Sequence, residues 1–236
     1  MENKGTLFLL PTPLAEGDFS AVLTTAEFEV IASLRCFVVE ELRTARRFLS
    51  AAGLRGHIDE LELHELNEHT SPAEVEALAG LFDGGRNVGL LSEAGRPAGA
   101  DPAALLVDLC HRHGIRVVPM VGPSSLMLAL MASGLNGQSF AFKGYLPAKT
   151  PERRRALQEL ERLSSRLGQS QIFIETPYRN DAMLTDILEC CNPSTKLCIA
   201  TNVTAADEDI RTKTVEQWKK QKPAIGKRPT VFILCA

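Results

Sequence analysis

The stretch Val88-Gly89-Leu90-Leu91-Ser92-Glu93-Ala94-Gly95-Arg96-Pro97-Ala98-Gly99-Ala100-Asp101-Pro102 decides how the fold is read. Residues 88–91 form an apolar run after the charged turn 83–87, the signature of a buried strand in a parallel sheet. Residues 92–100 carry two glycines and mostly small side chains, which leaves backbone amides open to a bound group. Asp101 and Pro102 then suit the N-cap and first position of a helix. A strand, a small-residue loop and a helix N-terminus together make the ligand-facing edge of an open α/β sheet.

The same grammar extends outward. Residues 6–10 (Thr-Leu-Phe-Leu-Leu) are an apolar strand stopped by Pro11-Thr12-Pro13-Leu14, a stiff turn that is either a plain loop or a wall against a ligand. A helical segment over 25–34 leads to a strand at 36–39. The acidic pair Glu40-Glu41 follows, then an amphipathic helix over 42–49 with Arg43, Arg46 and Arg47. Those charges fit either a surface ion-pair cluster or part of the ligand edge. A third strand lies within 57–66. Ser71-Pro72-Ala73-Glu74 is a capping box that starts a helix over 73–81. The helix 103–113 ends at Gly114, with His111 and His113 placed to favour its dipole. A strand over 115–121 then leads into Gly122-Pro123-Ser124-Ser125 and the apolar helix 126–132. This alternation is that of a parallel α/β sheet.

The polar, glycine-rich segment 134–138 is the expected hinge, which gives an N-terminal domain of 1–136 and a C-terminal one of 137–236. The second half holds a strand near 140–145 and a charged helix over 150–167 with Arg153, Arg154 and Arg155. Strands at 171–175, 196–200 and 228–235 follow, with hairpin strands expected in the polar segment 201–214 and a short helix at 215–220. This half is expected to form a mixed sheet. The fold class is thus α/β with two α/β domains, the first a parallel sheet flanked by helices.

Composition narrows the class of protein. The 236 residues are 44% hydrophobic and 23% charged, which suits a globular protein with an ordinary core. No apolar run approaches the roughly 18 residues of a membrane span, and the N-terminus lacks a signal-peptide pattern. The six cysteines, at 36, 110, 190, 191, 198 and 235, have no CxxC spacing and look like thiols of a reducing cytoplasm. A net charge of −3 leaves room for a local basic patch only.

The loops at strand ends (11–14, 40–43, 92–102, 122–125, 175–179 and 201–204) are rich in glycine, proline, serine and threonine. They contain no GxGxxG or GxxxxGK[ST] pattern, no GxSxG elbow and no His/Cys cluster. That argues against a dinucleotide enzyme, a phosphate-loop hydrolase, a metal centre and a serine hydrolase. The residues alone reach a two-domain α/β ligand binder that suits an enzyme.

Several of these pieces recur together elsewhere. Residues 9–14, Glu40-Glu41-Leu42-Arg43-Thr44-Ala45-Arg46, 91–102, Val118-Pro119-Met120-Val121-Gly122-Pro123-Ser124-Ser125, Ser133-Gly134-Leu135, Gly144-Tyr145-Leu146-Pro147 and Ile174-Glu175-Thr176-Pro177-Tyr178-Arg179 stand in family order and spacing. By them the chain resembles the tetrapyrrole-methylase superfamily of S-adenosylmethionine-dependent methyltransferases. Within it, the chain is most similar to the bacterial small-subunit rRNA cytidine ribose 2′-O-methyltransferase family. The resemblance runs from about residue 5 to 180 and thins beyond.

It implies an S-adenosylmethionine cofactor in a cleft between two α/β domains, RNA as substrate, a homodimer, a cytoplasmic location and no membrane or metal. A tetrapyrrole, a protein or another small acceptor remains an alternative, as does a cofactor-binding regulatory protein with lost catalysis. Carried over by position, the cofactor residues are Leu14, Glu93, Ala94, Gly95, Gly99, Ser124, Ser125, Thr176, Asn202, Pro229 and Thr230. Glu40 or Glu93 would be the base, and Arg43 or Arg179 would hold a phosphate or the developing alkoxide; each arginine could instead be paired structurally with a glutamate. Arg153–Arg155 would be either phosphate contacts or a solvated helix face. Two departures stand out. The family reads Glu-Asp-Thr-Arg where this chain has Glu40-Glu41-Leu42-Arg43, and Ser-Asp-Ala-Gly-Thr-Pro where it has Ser92-Glu93-Ala94-Gly95-Arg96-Pro97. Leu42 removes a hydroxyl from the presumed active edge, and Arg96 brings bulk and charge to a place where a small residue is expected.

Overall fold

The structure, a computed structural model, describes residues 3–15, 23–91 and 103–236. Contacts divide the chain into two compact units, Met1–Ser124 and Ser125–Ala236.

In the first unit β1 (Thr6–Leu10), α1 (Thr25–Ser33), β2 (Cys36–Val39), α2 (Leu42–Leu49), β3 (Glu62–Glu65), α3 (Pro72–Ala77), β4 (Val88–Leu91), α4 (Ala104–Arg112) and β5 (Arg116–Pro119) follow in sequence. The strands pair in the order β3-β2-β4-β1-β5, and every pairing is parallel. β2 and β4 are buried along their whole length, as strands covered on both faces must be. Alternation sends Leu7, Val38 and Leu90 to one core with Phe82 and Leu106, and Leu10, Phe37 and Leu91 to another with Ile31 and Leu49. Gly89 is small because a Cβ there would lie 2.7 Å from Phe37 and 2.8 Å from Leu10.

Local chemistry sets the helix ends. Ser71 and Glu74 form the expected capping box, with Pro72 in the first turn. The helix expected to run to 81 stops at Ala77 and tightens into a 3-10 segment, Leu78–Gly85, broken at Asp83 and Gly84. α4 begins at Ala104 with Ala103 as its cap residue, later than the start expected at Asp101-Pro102, and those two residues lie outside the described ones.

In the second unit α5 (Ser125–Ser133), β6 (Phe140–Tyr145), α6 (Thr150–Leu167), β7 (Ser170–Ile174), α7 (Asn180–Cys190), β8 (Lys196–Thr201), β9 (Asp209–Thr214), α8 (Val215–Lys220) and β10 (Thr230–Cys235) surround a sheet of order β6-β7-β10-β8-β9. β6 and β7 are parallel and the other neighbours antiparallel, the mixed sheet expected. Its core gathers Leu157, Phe173, Leu184, Trp218 and Phe232. The Trp218 indole N–H donates to the Leu197 carbonyl at 2.9 Å, so the ring is buried without an orphaned donor. α5 packs on β8, β9 and β10, and Thr212 Oγ1 donates to the Ser133 carbonyl at 2.7 Å. The contact division at 124/125 therefore precedes the hinge expected at 134–138, because α5 shares its contacts with the second sheet.

The three arginines expected on one helix face are split three ways. Arg153 is buried and paired with Asp186, Arg154 bonds Asp186 at 2.7 Å and also Glu189, and Arg155 is exposed. Successive helical residues point about 100° apart, so adjacent arginines cannot share a face. Neither phosphate contact nor a solvated face describes Arg153. All six cysteines are free. No helix among the described residues is long and apolar enough to cross a membrane.

Candidate functional site

In the first unit the candidate loops follow four neighbouring strands, β2, β4, β1 and β5, so their carboxyl ends are adjacent. The loops after β1 and β5 touch. A Cβ on Gly122 would lie 2.1 Å from Pro11 Cβ, so only glycine allows that approach. This contact brings the turn that carries Leu14 beside the turn that carries Ser124; both residues are partly buried. The loop after β4, with Glu93, Ala94, Gly95, Arg96 and Gly99, lies outside the described residues.

At the end of β2, Glu40 is partly buried. Glu41 caps α2: Oε1 accepts from the Arg43 N–H at 2.9 Å, and Oε2 from the Thr44 N–H at 2.5 Å and hydroxyl at 2.7 Å. The Thr44 hydroxyl, with the two backbone bonds, holds the Glu41 carboxyl below the usual glutamate range. The capping role needs only an acceptor that reaches these amides, so glutamate in place of the family's aspartate still ends the helix. Arg43 is exposed and makes no ion pair among the described residues.

The second unit brings Thr176, Asn202, Pro229 and Thr230 to one edge of its sheet. Thr230 pairs with Thr201 across β10 and β8, and the Asn202 N–H donates to the Pro229 carbonyl at 2.9 Å. Val231 faces Ile174 across β10 and β7, so Thr230 and Glu175 stand at the same end of that pair. Asn180 binds the corner together: its Nδ2 donates to the Arg228 carbonyl at 2.8 Å and to Thr230 Oγ1 at 3.3 Å. Asn202 and Thr204 hold φ of 49° and 75°, left-handed conformations uncommon for side-chain-bearing residues and often found at functional turns.

Arg179 is not free. Its Nε and Nη2 donate to Glu175 Oε1 at 2.9 and 2.7 Å, and its guanidinium lies 5.3 Å from the Tyr178 ring centroid. The bonds to Glu175 push the Arg179 pKa up. The same Oε1 accepts from the Thr176 N–H at 2.7 Å and hydroxyl at 3.1 Å. Its sister oxygen, Glu175 Oε2, is buried and has no hydrogen-bond partner among the described residues, and neither has Asn180 Oδ1. Sequence reasoning passed over both residues. The glutamate in 174–179 was visible in the motif, but no spacing rule announces an orphaned acceptor.

Away from the strand-end loops, which were expected to lack a His/Cys cluster, one such group occurs on strands β2 and β3. Ligand atoms of Cys36, Glu62 and His64 lie within 4.8 Å of one another, brought together by the parallel pairing of β2 with β3. Arg86 fills the space among them, donating to Glu62 at 2.7 Å and to Cys36 Sγ at 3.4 Å. Burial pushes the Cys36 thiol up. A guanidinium bonded to two of the three ligand groups disfavours a second cation there.

Residues 21–219 match the sequence model of the tetrapyrrole (corrin/porphyrin) methylases. Ribosomal RNA small subunit methyltransferase I of Escherichia coli O157:H7 is 31% identical over 235 residues, covering 98% of this chain and 78% of that one. Its namesake in Mesorhizobium japonicum is 34% identical over 209 residues, covering 89% and 67%. Among solved structures, the methyltransferase CobJ is similar at a TM-score of 0.60 and 17% identity, covering 98% of this chain and 94% of that one. Uroporphyrin-III C-methyl transferase from Thermus thermophilus, complexed with S-adenosyl homocysteine, is similar at a TM-score of 0.57 and 15% identity, covering 98% and 97%. At those identities the likeness is one of fold.

Proposed function

The chain belongs to the tetrapyrrole (corrin/porphyrin) methylases, and from that premise we propose that it is an S-adenosylmethionine-dependent methyltransferase acting on a ribose 2′-hydroxyl of small-subunit ribosomal RNA. The observation that carries the acceptor is the set of relatives named as methyltransferases of that RNA, which align over nearly the whole chain at about a third identity.

The residues fit the cofactor. Two buried acceptors without donors, Glu175 Oε2 and Asn180 Oδ1, suit a ligand rich in N–H and O–H groups. The close Gly122–Pro11 approach forms a compact backbone wall. In this proposal Leu14, Ser124, Ser125 and the loop with Glu93, Ala94, Gly95 and Gly99 hold the cofactor. Thr176, Asn202, Pro229 and Thr230, gathered at one end of the mixed sheet, hold it as well. When bound, S-adenosylmethionine supplies an electrophilic sulfonium methyl.

The chain's own work is then positioning and exclusion of water. Glu40 or Glu93 takes the hydroxyl proton, and the exposed Arg43 neutralises phosphate or the developing alkoxide. Arg179, already held by Glu175, presents its remaining N–H groups in a fixed direction. The exposed Met131 on α5 supports a homodimer, and an RNA substrate together with free thiols supports a cytoplasmic location.

Calorimetric titration with S-adenosylhomocysteine, followed by methyl transfer to unmodified small-subunit RNA, tests the proposal. Micromolar binding and one methyl group added per RNA are expected. No binding at millimolar ligand would overturn the cofactor assignment, and binding without transfer to that RNA would overturn the acceptor.

A further inference from the structure

Glu175 divides its carboxylate between two tasks. Oε1 accepts four hydrogen bonds, two from Thr176 and two from Arg179. Oε2, on a side chain with no exposed surface, accepts none. A buried acceptor left without a donor is costly, and native proteins rarely tolerate one without a reason. Five residues on, fully buried Asn180 repeats the pattern. Its Nδ2 is committed to the Gly226 carbonyl at 3.3 Å, the Arg228 carbonyl and Thr230 Oγ1. These three acceptors fix the amide's orientation, so Oδ1 is the unpaired atom. The two orphans are both acceptors and both belong to the turn that carries Thr176 and abuts Thr230. Only a donor-bearing group completes them.

Building on the methyltransferase reading, we propose that Glu175 is a cofactor-binding residue: its Oε2 accepts a hydrogen bond from an N–H or O–H of the bound methyl donor, while its Oε1 positions Thr176 and Arg179. The donor chemistry is an ammonium or a nucleoside hydroxyl or amino group, the partners a carboxylate holds most firmly. The turn borders solvent: Arg179, bonded to Oε1, has 26% of its side chain exposed, and Tyr178 beside it is 71% exposed. One carboxylate then ties the cofactor to Arg179, so that cofactor binding also sets the guanidinium in place.

The substitution Glu175→Gln tests this, because it keeps the shape and can keep an acceptor towards Thr176 and Arg179 while turning Oε2 into an N–H donor. Calorimetry on the full chain should show S-adenosylhomocysteine binding weakened about 30-fold or more, with the unfolding midpoint nearly unchanged. 5′-Methylthioadenosine, which lacks the amino-acid portion, locates the donor. An equal loss on both ligands places it on the nucleoside; a loss on S-adenosylhomocysteine alone places it on the ammonium. Wild-type affinity for both ligands in E175Q overturns the proposal, as does unchanged affinity combined with lost transfer to RNA, which would assign the oxygen to the acceptor. If E175Q does not fold, the unaltered protein is titrated with S-adenosylhomocysteine analogues lacking in turn the amino group and each ribose hydroxyl. One must lose about tenfold or more, and affinities all within about threefold overturn the proposal. Failure of the unaltered chain to bind S-adenosylhomocysteine at all is a different result, since it removes the methyltransferase reading itself.

Discussion

The two units bury different things. In the first, the described interior is mostly apolar, with Phe37 and Val38 of β2 and Leu90 and Leu91 of β4 buried and Glu27 its one buried charged residue among those described, and its edge loops meet by close fit at Gly122 and Pro11. In the second, charge and amide groups go inside with the core. Arg153 and Asp186 are buried as a pair, Glu161 accepts from Asn192 and Thr195, and Glu175 and Asn180 lie beneath the edge turn. A close-packed apolar interior resists changes of volume, whereas a buried polar network resists the loss of any one partner. The first unit therefore has a close-fitting wall at its loops, and the second has buried side-chain acceptors at its turn.

The sharpest way to break that comparison is to remove one partner from the second unit. Asp186 uses both oxygens, accepting from Arg153 Nε at 2.6 Å and Arg154 Nε at 2.7 Å. Asp186→Ala leaves Arg153 buried without a counter-charge and should destabilise by about 3–5 kcal/mol. Replacing both members, Arg153→Met with Asp186→Leu, should recover most of that loss, because the cost lies in the unpaired charge. Urea unfolding of the three proteins decides the matter. A loss below about 1 kcal/mol in the single variant would mean that solvent reaches Arg153 and that the second unit is not held as described.

The corresponding change in the first unit is one of volume. Gly122→Ala drives a Cβ into the Pro11 ring, which is rigid, so the two loops must part. The expected cost is about 1–3 kcal/mol, with S-adenosylhomocysteine affinity falling as well because the turns carrying Leu14 and Ser124 separate. Stability lost with affinity intact would detach this wall from the ligand and leave only the second unit's side chains to hold it.

The same contrast explains what the sequence could reveal. Strand–helix alternation, the capping box at Ser71 and the mixed second sheet were legible, because each is written in neighbouring residues. So were the edge loops, since small residues and prolines announce them. The acceptors at Glu175 and Asn180 were not. Asn180 finds its partner in Thr230, fifty residues away, and the free oxygen of Glu175 is a fact of burial that no local spacing encodes. Three arginines in a row read as one charged face, yet the helical turn sends Arg153 inward and Arg155 out. The Cys36–Glu62–His64 cluster was hidden for a like reason: two strands unite residues that lie far apart in the chain. Packing at a distance, not local propensity, built what was missed.

The smallest expected effect concerns acid, and it separates surface charge from buried charge. Glu41 sits at the exposed start of α2, and its carboxyl is held below the ordinary range, first by the Thr44 hydroxyl and then by the Thr44 and Arg43 amides. A group whose pKa is lowered on folding stabilises the fold above its unfolded value and loses that contribution as pH falls through the folded one. Glu41→Gln should therefore lower the unfolding midpoint at neutral pH. The gap from the unaltered protein should close as the solution is acidified through and below the ordinary glutamate range. Thr44→Val removes the leading cause but keeps both amide donors, so its gap should be smaller and close over a narrower range. A gap that stayed constant well below the glutamate range would show that the E41Q side chain differs by shape alone. The capping carboxylate would then have no electrostatic part in the first unit, in contrast with the buried Arg153–Asp186 pair of the second.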